Sequence, residues 1–145
     1  MPADRPHRDS YKFHAPITTR WSDNDIYGHI NNVVYYSYFD SIANLYLIQH
    51  GLDIAGAAVI GLVVESHCNY HAPLAYPTPL VGGLRVDRLG NRAVTYGIAI
   101  FAEAEPLAAA HGHFVHVFVD RQTRAAVAIP DPLRTALERL TAPSS

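Results

Sequence analysis

A chain of 145 residues is the size of one domain with room for a substantial core. Its net charge of −2 and 49% hydrophobic content exclude an electrostatic nucleic-acid binder, and no uninterrupted apolar run reaches membrane-spanning length. The single cysteine, Cys68, excludes an intramolecular disulfide and reads as a small buried hydrophobe.

Residues 1–10 are polar, contain two prolines and lack the apolar core of a secretory signal. They are expected to be a flexible lead-in to one domain spanning 11–141, with 142–145 as a tail, in a cytoplasmic protein. Tyr11 to Trp21 reads as a strand: Phe13, Ala15, Ile17 and Thr19 alternate with Lys12, His14, Pro16 and Thr18. Pro16 inside the run points to a sheet edge or a local break.

The next stretch, Arg20 to Asn32, gathers two carboxylates, an imidazole, a glycine that permits a sharp bend and two asparagines. Asn31 is suited to cap a helix running to about His50, where Gly51 supplies the stop. Ser37, Asp40, Ser41 and Asn44 form one narrow polar stripe on that helix, and apolar or tyrosine side chains cover the rest. A helix apolar on nearly all sides is expected to be buried on nearly all sides. About eighteen residues span roughly 27 Å, enough to lie across a small sheet.

From Val59 the chain is strand-rich to Asp120. Val59 to His71 places Val64, Ser66, Cys68 and Tyr70 on one face and Glu65, His67, Asn69 and His71 on the other. Leu80 to Leu89 and Arg92 to Ala102 form a hairpin around Gly90-Asn91, and Leu107 to Asp120 is a long strand. A short strand is expected at Ala125 to Ile129, followed by a C-terminal helix capped by Asp131 with Pro132 at its first position. The order is α+β: one long helix against an antiparallel sheet. A single such layer leaves a face and an edge open, so a homodimer or homotetramer is expected.

The chemistry concentrates where the loop meets the long helix. If Asn31 is the cap, the Asn32 N–H is left free at a helix end carrying about half a positive charge, suited to polarise a carbonyl. Asp25, before the Gly28 bend, is the carboxylate placed to act over that point as base or nucleophile. Turn and capping chemistry alone also explains such a loop. A calcium-type site lacks the further carboxylates it needs.

The string Arg20-Trp21-x-Asp23-x-Asp25-x-x-Gly28-His29-Ile30-Asn31-Asn32, followed by a tyrosine-rich helix, resembles the 4-hydroxybenzoyl-CoA thioesterase branch of the hotdog-fold superfamily. The resemblance covers about Tyr11 to Leu140. It implies an antiparallel sheet of about five strands wrapped around one central helix, acyl-CoA hydrolysis without a cofactor, and an active site at a subunit interface. It assigns the catalytic carboxylate to Asp25 and the thioester carbonyl to the helix start near Asn31 and Asn32. The Gly-His-Ile-Asn-Asn version is similar to members acting on acyl-CoA chains rather than to the aryl-CoA founder.

Other candidates follow from position. His29, four residues after Asp25, is suited to orient it, and Tyr27 and Gly28 at the bend to contact substrate. Glu65 and His67 are candidates to complete a partner's pocket. Arg88 and Arg92, flanking the Gly90-Asn91 turn, are candidates for the phosphates of CoA, with Arg85 nearby. His111, His113 and His116 invite a zinc reading, but no carboxylate or cysteine nearby completes the ligand set, so no metal is assigned. Two rival functions share the Asp25 loop: a hotdog hydratase or dehydratase, whose Asp and His stand four apart, and a non-catalytic acyl-CoA-binding protein.

Overall fold

The computed structural model describes residues 5–141; residues 1–4 and 142–145, with the expected tail, lie outside the described residues. Strands β1 (Phe13–Ile17), β2 (Val59–Tyr70), β3 (Leu80–Leu89), β4 (Ala93–Ala102) and β5 (Ala110–Asp120) form one antiparallel sheet in the order β1-β3-β4-β5-β2. Helix α1 (Asn32–Gln49) packs on one face and α2 (Asp131–Glu138) closes one end. This is the hotdog arrangement. Pro16 lies in β1, on the sheet edge, where a missing N–H is tolerated.

The alternation of β3, β4 and β5 sends Leu84, Val86, Tyr96, Ile98, Ile100, Phe114 and Phe118 toward α1, against Phe39, Ile42 and Leu47. Gly82 lets the helix come close: a Cβ there would sit 2.9 Å from Ile17 Cδ1 and 3.2 Å from Ile42 Cδ1. At its ends α1 behaves as its sequence dictates. Asn31 Oδ1 accepts the Val33 N–H at 3.2 Å, and Gly51 takes φ +107° after the last turn.

Four expectations are corrected. The helix is buried on one side only, since the five strands cover one face; Val33 remains 68% and Ile48 44% exposed. Residues 5–10 are tied down rather than loose. Arg8 Nη2 donates to the Glu103 and Glu105 carbonyls at 2.8 and 2.9 Å, and the Ala108 N–H donates to Pro6 O at 2.9 Å. Tyr11 then packs on Phe101 on the outer sheet face, making a second small core with Ala99 and Ala108. Ala125–Ile129 forms only an isolated bridge at Ala126, because the chain reaches Pro130 before a ladder can extend. Asp131 is the first residue of α2 rather than its cap; Pro130 holds the cap position and Pro132 the second turn position.

The loop before α1 is fastened by Asp23, which is 1% exposed. Its carboxylate accepts the Tyr38 hydroxyl at 2.7 Å, the Arg20 N–H at 2.9 Å and the Arg20 Nε–H at 3.2 Å. Its carbonyl accepts the Asn31 N–H at 2.9 Å. Burial opposes ionisation of Asp23, but the Tyr38 and Arg20 donors together outweigh it and hold the carboxyl below its ordinary range. Tyr38→Phe removes a donor from a buried carboxylate and is expected to cost about 1–3 kcal/mol in denaturant unfolding; wild-type stability in the variant would refute the clamp.

His116, also 1% exposed, faces the core and receives the Tyr96 hydroxyl at 3.1 Å on Nδ1. Burial pushes its imidazole down from 6.5 to about 4. The unfolded chain therefore binds a proton more readily, so the full stability is present above pH 6.5 and is lost progressively between pH 6.5 and 4. The loss is expected to reach roughly 3 kcal/mol. Unfolding measured across that window should show a slope that His116→Gln markedly reduces.

Candidate active site

Fastening by Asp23 sets the course of the chain that follows it. Asn24 and Ile30 pair as a bridge, the Asp25 N–H donates to His29 O at 2.9 Å, and the Gly28 N–H returns to Asp25 O at 3.1 Å. Gly28 adopts φ +83°, the left-handed bend that a glycine makes at low cost. The Ile30 N–H docks the end of this small loop on Leu74 O at 2.7 Å, delivering the chain to α1. A tight turn between two fixed points thus carries Asp25.

Asp25 Oδ1 accepts the Tyr27 N–H at 2.9 Å, and among the described residues Oδ2 has no protein partner. The carboxylate is half-buried and lines a cleft of about 440 Å³ together with Tyr27, His29, Asn32, Tyr35, Tyr70 and His71. Asn31 spends its side chain on Val33 and its own N–H on Asp23 O. The Asn32 N–H meets no acceptor among the described residues, so a polarised donor at the helix start shares a cleft with an accessible carboxylate. Water or a carbonyl between them would meet a base on one side and a donor on the other.

The remaining candidates divide. His29 lines both this cleft and a neighbouring one of about 560 Å³. Glu65 and His67 do not line the Asp25 cleft of their own chain. They lie on the outer sheet face, Glu65 Oε1 2.7 Å from His113 Nε2 and His67 stacked on His113 with centroids 5.5 Å apart. Arg88 and Arg92 line a separate cleft of about 410 Å³ at the β3–β4 turn. Tyr70 pairs with Ala110 and Ala93 with Val117, so that turn is about 23 Å along β5 from the Asp25 end. His116 points into the core, opposite to His111 and His113, so those three cannot share a ligand.

The sequence pattern did not single out two residues of the cleft wall. Tyr70, at the end of β2, donates its hydroxyl to Asn32 O at 3.0 Å and packs edge-on against Tyr35, bracing the first turn of α1 from the sheet. His71, next along, places Nε2 2.7 Å from His111 Nδ1. A tyrosine and a histidine ending a strand carry no signal of this; it depends on which strand lies beside the helix start.

Known proteins bear on this geometry. Residues 27–109 match the model of the thioesterase superfamily. The PA5185 protein of Pseudomonas aeruginosa is 54% identical and superposes with a TM-score of 0.95, over 98% of this chain and 100% of that one. The PA2801 protein of the same organism, a proposed thioesterase, is 30% identical with a TM-score of 0.81, over 86% and 96%. A 1,4-dihydroxy-2-naphthoyl-CoA thioesterase from Synechocystis shares the fold, with a TM-score of 0.77 at 19% identity over 88% and 96%. No curated protein matches the chain. A match over more than half of the sequence, with a homologue aligned along nearly its full length, assigns the family: the chain belongs to the thioesterase superfamily, as a hotdog-fold thioester hydrolase of the 4-hydroxybenzoyl-CoA thioesterase type.

Proposed function

We propose that the chain hydrolyses the thioester of an acyl-CoA to free acid and CoA, with Asp25 as base or nucleophile and the Asn32 N–H as oxyanion donor. The observation that carries this reading is the shared cleft: Asp25, with a carboxylate oxygen unpaired among the described residues, and Asn32, whose helix N-terminal N–H is likewise unpaired among them, line the same 440 Å³. The thioester carbonyl would sit at the helix start. As Asp25 drives attack, negative charge grows on the carbonyl oxygen, which the Asn32 N–H would stabilise. Thiolate is a fair leaving group, so the step needs little further assistance.

The same reading makes the enzyme a homodimer or homotetramer in the cytoplasm. Support for self-association comes from β2, an edge strand with Val63 43% and Val64 60% exposed. Two β2 edges paired antiparallel about a two-fold axis would set the Val59 end of one copy against the Tyr70 end of the other. That pairing brings one copy's Arg88–Arg92 cleft toward the other copy's Asp25 cleft, spanning the distance that separates them within one chain. The lone Cys68, buried with its thiol pushed up to about 11 by burial, is inert and compatible with a reducing compartment.

Asp25→Asn, assayed against a panel of acyl-CoAs, is expected to lose about 10²–10⁴ in kcat while the fold is retained; unchanged turnover would discard the mechanism. Arg88→Gln with Arg92→Gln is expected to raise KM for acyl-CoA and leave hydrolysis of the acyl-N-acetylcysteamine analogue, which lacks phosphates, as in wild type. An equal effect on both substrates would show that the arginines do not hold the nucleotide.

A further inference from the structure

His71 is the one cleft-lining imidazole held by a second ring. Its Nε2 lies 2.7 Å from His111 Nδ1, the rings are inclined by only 7°, and their centroids are 4.8 Å apart. So short an N···N separation between nearly parallel rings is an N–H···N hydrogen bond, not a face-to-face stack. The backbone is fixed as well: the His71 and Ala72 N–H groups both donate to Ala109 O, at 2.8 and 3.1 Å. His71 lines the Asp25 cleft, and with Nε2 engaged, Nδ1 is the ring nitrogen without a protein partner among the described residues. His29 contrasts with it, being exposed and, among the described residues, having no partner for its ring.

We propose that His71 is a second acid–base residue of the thioester site and that His111 is its positioning partner. The inference rests on the acyl-thioester reading above. In the resting state His71 Nε2–H donates to His111 Nδ1, and Nδ1 presents a lone pair to the cleft. With Asp25 as the nucleophile, its carboxylate attacks the thioester carbon to form a mixed anhydride, and the electron pair of the breaking C–S bond leaves on sulfur. Water then attacks that acyl carbon, its oxygen forming the new C–O bond as the Asp25 carboxylate leaves, and one of its protons passes to His71 Nδ1. His71 Nδ1–H then gives that proton to the thiolate, and the product acid loses its remaining proton to solvent. His71 returns neutral and nothing else is consumed. His111 keeps the tautomer and ring plane fixed throughout, as a third group does for the base of a hydrolytic triad.

The surroundings favour a neutral resting couple. Burial, then the Arg5 guanidinium, push His71 below its ordinary value; burial, then His71, Arg85 and His67, do the same to His111. Asp25 and His29 line the same cleft as His71. A neutral imidazole accepts a proton from water, and an imidazolium that is disfavoured gives it up readily.

The experiment compares kcat, KM and the pH dependence of kcat/KM for His71→Gln, His111→Leu, His111→Asn, His29→Gln and Asp25→Asn, with a melting curve for each. His71→Gln is expected to lose roughly 10² or more in kcat with KM little changed. Its acidic limb should disappear from the histidine range, leaving only one in the carboxylate range. His111→Leu should lower kcat and His111→Asn, whose amide oxygen can accept the Nε2–H, should restore it. If His71→Gln does not fold, the His111 pair carries the test. Wild-type kcat and pH profile in the His71 and His111 variants, an effect confined to KM, or loss of the limb in His29→Gln instead, would each overturn the proposal while Asp25→Asn remained inactive. An active Asp25→Asn would fault the underlying mechanism separately.

Discussion

The Asp23 carboxylate, taken out of water and bound by Tyr38 and Arg20, is the contact on which the geometry of the Asp25 loop depends. It joins three pieces of chain that have no other reason to meet: the end of the first strand through Arg20, the body of α1 through Tyr38, and the start of α1 through the Asn31 N–H on its carbonyl. A buried carboxylate without such partners would be costly, and with them it is a rigid node. Because Asn31 gives its N–H to Asp23 and its side chain to Val33, the unpaired donor moves one residue on to Asn32. The capping arrangement therefore selects which N–H at the helix start is left without a partner among the described residues.

From that node outward, the sheet order explains the cleft walls. β2 pairs with β5 at one edge and β1 with β3 at the other, so the strand that follows α1 in sequence lies across the sheet from the one that precedes it. β2 thereby ends beside the start of α1, bringing Tyr70 to the Asn32 carbonyl and His71 to the cleft. The same order leaves β2 with an unpaired edge and α1 with an uncovered apolar stripe. These features are ordinary liabilities of a lone chain and useful ones for a chain that assembles.

Much of this was legible in the residues, wherever the controlling interaction is local. Asn31 as cap, Gly51 as stop, Pro16 at an edge and the Gly90-Asn91 turn act within a few positions of themselves and are found as expected. The failures share a different cause. The short strand at Ala125–Ile129 had the composition of a strand but too few residues before Pro130 to form a ladder. Residues 5–10 looked loose because their anchors, the carbonyls of Glu103, Glu105 and Ala108, lie about a hundred positions away. The all-round apolarity of α1 marks surface to be covered, and sequence does not say whether by its own sheet or by another chain. The His71–His111 bond joins residues forty apart whose only common signal is a register between β2 and β5.

Asp23 and Asp25 show how far such long-range contacts decide chemistry. The two side chains are identical and two residues apart, yet the fold gives them opposite conditions. Asp23 meets donors from two residues and is sealed from solvent, so its charge is spent on holding the loop. Asp25 meets one backbone N–H, keeps an oxygen unengaged among the described residues and lines an open cleft, so its charge is not spent on the fold. The distinction rests on Tyr38, fifteen residues from Asp23 and nearly two turns into a helix that the loop has not yet begun. A carboxylate is sealed into the structure or left accessible according to how many donors the fold supplies to it, and here the supply is set by where α1 lies.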